Sequence, residues 1–164
     1  WCSQRQIAYT RYCDDMTFSA NRPLYGVYQK VKTMLREMGF ELNESKTHFI
    51  GNDNRQSVTG LVVNEKLSIP SGYKRDLRQE VYYALKFGVE DSVLHGHRSD
   101  FVEDGRPICC PTYMLHLMGK VQYVLQIEPE NLWFKDAQKK LLAYIYEHYS
   151  ESLSYYLHFN KNGK

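Results

Sequence analysis

From Ile7 to Ser19 apolar and polar side chains alternate, the two-residue period of a half-buried strand. Ile7, Tyr9, Arg11 and Cys13 fall on one parity and Ala8, Thr10 and Tyr12 on the other. The β-branched and aromatic content predicts two strands flanking a tight turn at Cys13–Asp15. The period then lengthens. Leu24, Val27, Tyr28, Val31, Met34, Leu35 and Met38 recur at helical spacing and predict an amphipathic helix over 23–38. Ser19 or Asn21 offers an N-cap, Pro23 suits the first turn, Gly39 suits the stop, and Gly26 is a mild penalty. "FELNESKTHFIG" predicts a strand pair, or a strand turning at Asn43–Ser45. "SVTGLVVNEKLSI" predicts a hairpin of Val58–Val63 and Lys66–Ile69, turning at Asn64–Glu65.

After Pro70 every strong pattern is helical. One helix places Leu77, Val81, Ala84 and Leu85 on a face. A second does so with Met114, Leu117, Met118, Val121, Val124 and Leu125, and a third with Leu142, Ile145, Tyr149, Leu153 and Tyr156. Residues 89–111 read as a polar loop rich in His, Asp and Gly, and the tail "NKNGK" as a frayed end. The expected class is α+β: antiparallel strands with a helix over 1–70, then an all-α region of about three helices over 71–164, with the boundary near Pro70.

Composition narrows the class. The 164 residues are 43% hydrophobic and 24% charged, a globular balance. The net charge of +2 shows no strong nucleic-acid footprint in the total, so basic stripes must be sought locally. The four cysteines, Cys2, Cys13, Cys109 and Cys110, form no disulfide framework, which points to a reducing cytoplasm. The chain lacks the run of ~18 apolar residues that a membrane span requires, so no membrane partner is expected. A start at Trp1 without Met reads as a fragment of something longer.

Two features carry candidate chemistry. Asp14 and Asp15 are adjacent in a β-prone run, where like charges repel. Aspartate is also common in ordinary solvated turns. The chemical alternative is that the pair grips divalent cations, since magnesium takes hard oxygen ligands and two-metal sites hold their ions ~3.5–4 Å apart. Arg75, Arg78, Tyr82 and Lys86 stand at i, i+3, i+7 and i+11, opposite the Leu77–Leu85 face. Such a stripe can track phosphates or simply be a solvated face, and Asp76 and Glu80 dilute it. Lys120 and Gln122 are weaker candidates, and Gly119 inside that helix permits close approach by a helix or by nucleic acid. His95, His97, Cys109 and Cys110 have poor zinc spacing and read as loop residues, like Asp100, Glu103 and Asp104.

The order of four blocks, "RYCDDMTFSA", a helix ending "GF", "LNESKTHFIG" and "VTGLVVN", resembles the palm of a bacterial reverse transcriptase, most closely the retron type. The resemblance covers roughly 5–150 and excludes the loop 89–111. It implies a C-terminal polymerase palm over 1–70, with catalytic turn and primer-grip hairpin, and a helical thumb over 71–164. Asp14 and Asp15 would be catalytic metal ligands for Mg2+, Tyr12 would sit by the primer end, and Lys46 would occupy the palm lysine position. Thr59, Gly60 and Leu61 would lie in the primer grip, and Arg75, Arg78, Tyr82, Lys86 and Lys120 would contact nucleic acid. The Val58-Thr59-Gly60 triplet leans toward retrons over group II intron or diversity-generating enzymes, and the intact aspartates lean against a non-catalytic RNA-binding module. Cys13 stands where the family commonly has Ala. The third metal-binding aspartate, the fingers and the Asn-Ala-x-x-His block lie upstream in the family and have no counterpart here, so the fragment alone is not expected to polymerise. Implied partners are an RNA template or noncoding RNA, the RNA–DNA duplex, the upstream fingers and palm, and an effector protein in antiphage defence.

Overall fold

A computed structural model describes residues 1–96, 99–107 and 109–153. Its element content is α+β: five α-helices and short antiparallel strand pairs among the described residues. The chain divides into two compact units, Trp1–Val58 and Thr59–Lys164.

In the first unit, β1 (Ala8–Tyr12) and β2 (Asp15–Ser19) pair antiparallel, with Tyr12 opposite Asp15 and Tyr9 opposite Phe18. The latter rings stack at 4.9 Å between centroids, an ordinary cross-strand aromatic pair. The amphipathic segment forms α1 (Tyr25–Glu37). Neither Ser19 nor Asn21 caps it; Leu24 holds the N-cap position without a side-chain hydrogen bond. Its end is built as expected. Gly39 takes a left-handed φ of 81°, its N–H reaches Arg36 O at 3.0 Å, and the Phe40 N–H reaches Leu35 O at 2.8 Å. This double closure is the Schellman pattern. Among the described residues of this unit only Ile7 and Val27 are buried hydrophobics.

The expected strand at "FELNESKTHFIG" is not formed. The segment holds a 3₁₀ turn, Glu44–Lys46, instead. Asn43 Oδ1 accepts from Ser45 N–H at 3.1 Å and from Ser45 Oγ at 2.6 Å. Such local side-chain bonding offers the backbone an alternative to a ladder. The first unit ends in β3 (Ser57–Val58).

The second unit opens on a turn that interrupts the expected strand Val58–Val63. Thr59 (φ 47°) and Gly60 (φ 84°) are both left-handed. β4 (Leu61–Val62) follows, and Val62 and Ser68 exchange backbone hydrogen bonds at 2.9 and 3.0 Å, so the expected return strand Lys66–Ile69 is reduced to a single bridge at Ser68. Then come α2 (Ser71–Phe87), α3 (Val89–His95), the strand pair β5 (Val102–Glu103) and β6 (Arg106–Pro107), α4 (Cys110–Ile127) and α5 (Leu132–Tyr149). Among the described residues the helical region thus holds four helices rather than about three, and it is not all-α, because the stretch read as loop contains α3 and the β5–β6 pair. Val89 and Val93 seat it in the core.

That core joins Leu77, Val81 and Ala84 of α2 to Met114, Leu117, Met118, Val121 and Val124 of α4 and Phe134, Ala137, Leu141 and Ile145 of α5. On α5 the buried residue is Leu141, and Leu142 is only half-buried. Ile69 belongs to the same core and Leu61 packs against it. The second hairpin therefore groups with the helices, although the change from strand to helix still falls at Pro70. Tyr156, His97 and the tail lie outside the described residues. No helix among the described residues is long and apolar enough to cross a membrane.

Candidate active site and nucleic-acid interface

The paired aspartates sit where two strands reverse. With Tyr12 opposite Asp15, the turn residues are Cys13 and Asp14, so Asp15 already begins β2. Cys13 carries φ 50°. A two-residue hairpin favours positive φ at its first turn residue, because that hand matches the strand twist. Tyr12 and Asp15 are cross-strand neighbours and share a face of the hairpin, with Asp14 at its tip. Tyr12 is 69% exposed and both aspartates are exposed. Among the described residues neither carboxylate is held by a hydrogen bond or ion pair. Two adjacent hard-oxygen donors with open approach suit part of a magnesium site. No group of three or more His, Cys, Asp or Glu among the described residues converges as a metal cage.

Lys46 is exposed on the 3₁₀ turn Glu44–Lys46. That turn is clamped to α1 through Glu44, whose carboxylate accepts from Lys32 Nζ and from Tyr28 Oη, both at 2.5 Å. The Lys32 ammonium, then the Tyr28 hydroxyl, holds the Glu44 carboxyl below its ordinary value. Glu44 in turn raises both Lys32 and Tyr28. Sequence reading missed this clamp because it joins residues on two elements.

In the second unit, Thr59 and Gly60 form the left-handed turn and Leu61 is half-buried against the helices. The α2 stripe is present but partly engaged within the chain. Arg75 Nε lies 3.1 Å from Asp76 Oδ1 in a solvated pair. The Arg78 guanidinium lies 5.6 Å from the Trp133 ring centroid and 5.3 Å from that of Phe134. Lys86 Nζ donates to Tyr82 Oη and lies 5.0 Å from the Tyr82 ring. Lys120 has its charge balanced: Nζ reaches the two Glu80 oxygens at 2.9 and 3.2 Å, both side chains 20% exposed. Gly119 faces open space, since a Cβ there would meet nothing within 4 Å. Among the described residues no helix uses the gap it leaves. Trp133 went unnoticed in the sequence; an Asn-capped helix start carrying a Trp was the available signal.

No protein-family model matches the chain. Among curated proteins it is 33% identical to the Retron Mx65 reverse transcriptase of Myxococcus xanthus, over 74% of this chain and 24% of that protein. It is 36% identical to the Retron Ec83 reverse transcriptase of Escherichia coli, over 50% of this chain and 28% of that one. The Retron Mx162 reverse transcriptase of Myxococcus xanthus is 30% identical over 49% of this chain and 20% of its own length. The resemblance to retron-type reverse transcriptases is borne out, and the chain spans about a quarter of the length of the relatives it matches.

Proposed function

Starting from that similarity to retron reverse transcriptases, we propose that this chain is the C-terminal palm and thumb portion of an RNA-directed DNA polymerase. The enzyme copies a structured noncoding RNA into DNA by nucleotidyl transfer. One observation carries the reading: two uncommitted carboxylates on an exposed hairpin tip, in a chain matched to three reverse transcriptases.

Asp14 and Asp15 hold the metal, with further ligands from the remainder of the polymerase. Magnesium, when bound there, supplies Lewis-acid activation of a primer hydroxyl and charge stabilisation on the leaving pyrophosphate. Tyr12, on the face of Asp15, packs by the primer end. Lys46 offers an ammonium to leaving phosphate charge, and the Glu44 clamp fixes the turn that presents it. Thr59, Gly60 and Leu61 form the primer-grip turn. Arg75, Arg78, Tyr82 and Lys86 contact nucleic acid, and Lys120, already paired with Glu80, contributes least. A place in antiphage defence beside an effector protein, in the cytoplasm, belongs to the retron context of this reading.

The test is primer extension on an RNA template by the full-length polypeptide. Asp14→Asn is expected to reduce extension to background. A mutant that extends as wild type overturns the assignment.

A further inference from the structure

α2 borders two cavities. Towards α3 and α4 lies one of about 540 Å³, whose lining among the described residues includes Asp76, Glu80 and Asp91 and no Lys or Arg. Towards α5 lies a smaller one of about 340 Å³. Val81, Leu85 and Ala137 give it apolar lining, Tyr82 and Trp133 aromatic surface, and Lys86, Lys140 and Asp136 its charges. The Asp136 carboxylate is matched by Lys140 at 2.6 Å, so Lys86 leaves a positive excess. Arg78, held over Trp133, adds to it.

We propose that the cavity between α2 and α5 is a stacking notch for an unpaired base of single-stranded RNA. The proposal rests on the reverse-transcriptase reading above. Charge favours the smaller cavity, where Lys86 is left over once Asp136 and Lys140 have paired and attracts phosphate; at the larger one Asp76 and Glu80 are already met by Arg75 and Lys120. Size and surface decide what enters. About 340 Å³ lies at the small end of ligand pockets, which run from ~300 Å³ upward. Trp133 is 39% exposed and Tyr82 50%, so both rings offer surface to a partner. Aromatic side chains reward an unpaired base with a free π-face, whereas bases inside a duplex are already stacked. Lys86, steadied by the Tyr82 hydroxyl, stands at the rim where a phosphate beside such a base would pass.

The experiment compares two probes on the full-length polypeptide: a short oligouridine, and an abasic ribose-phosphate strand of equal length. Trp133→Ala is expected to weaken oligouridine binding roughly 5- to 150-fold, the range for one stacked base, and to leave the abasic strand unaffected. Trp133→Phe should restore most of the affinity. Lys86→Gln should weaken both probes and lower the salt slope by about one. If Trp133→Ala lowers the melting temperature, Tyr82→Leu, on a half-exposed ring, supplies the same two-probe comparison. Equal losses on both probes, or no loss on either, overturn the notch. Asp14→Asn separates the two ideas. If it abolishes extension while Trp133→Ala spares oligouridine binding, the notch falls and the polymerase reading stands. If it extends normally while the base-dependent loss persists, the polymerase reading falls and the notch stands.

Discussion

Gly60 and Gly119 are both glycines in the second unit, yet they answer to opposite physics. Gly60 holds φ 84° beside Thr59, a conformation that crowds any Cβ against the following carbonyl. Gly60→Ala should destabilise the chain by about 1–2 kcal/mol, read from denaturant midpoints. Gly119 sits in mid-helix with open space around it. Gly119→Ala should therefore stabilise by about 0.5–1 kcal/mol, visible as a higher melting temperature. A loss there would mean that the helix face is not open. At this scale much was legible in the sequence. The aspartate pair, the Gly39 stop and the α2 stripe rest on neighbours in the chain. Glu44 and Trp133 were not legible, because their meaning depends on Tyr28, Lys32 and Arg78, which folding brings to them.

Between elements, Glu128 is the main polar tie in the helical unit. Oε1 accepts from the Ile69 N–H at 3.0 Å and from Lys74 Nζ at 2.6 Å, and Oε2 accepts from Asn131 Nδ2 at 2.9 Å. It fastens the start of α2 and the end of the second hairpin to the α4–α5 corner. Burial pulls its carboxyl upward, but the hydrogen bonds from Lys74, Asn131 and Ile69 outweigh this, and the net shift is downward. A carboxyl lowered in the folded state adds stability above its unfolded value and loses it as pH falls through the folded value. Glu128→Gln should cost about 1.5–3 kcal/mol at neutral pH and flatten the acid limb of a stability–pH curve. An unchanged limb would deny the tie. The elements missed in the sequence share a cause. α3 spans two turns, too short for helical periodicity to stand out from His, Asp and Gly neighbours. Leu141 and Leu142 are adjacent apolar residues, and only the phase set by Phe134 and Ala137 chooses between them.

Across the whole molecule the two units are unequally buried. The second has a continuous core from Ile69 to Ile145, whereas the first buries only Ile7 and Val27 among its described hydrophobics. Hydrogen exchange should therefore find the slowest amides in α2, α4 and α5, with β1 and β2 exchanging far earlier. Uniform protection would contradict this division. The two opposed flanks of α2 also have a consequence for ionic strength. A helix with its side chains is ~10–12 Å across. The Debye length is ~8 Å at physiological salt and ~30 Å at 0.01 M. Arg75–Asp76 and Lys120–Glu80 are matched within the chain, so in dilute buffer a passing polyanion would sense Arg78 and Lys86 on one flank together with Asp91 on the other as one blurred sum. Near physiological salt the two sides become separate landmarks, so this guide rail discriminates left from right best where most electrostatic recognition is already fading.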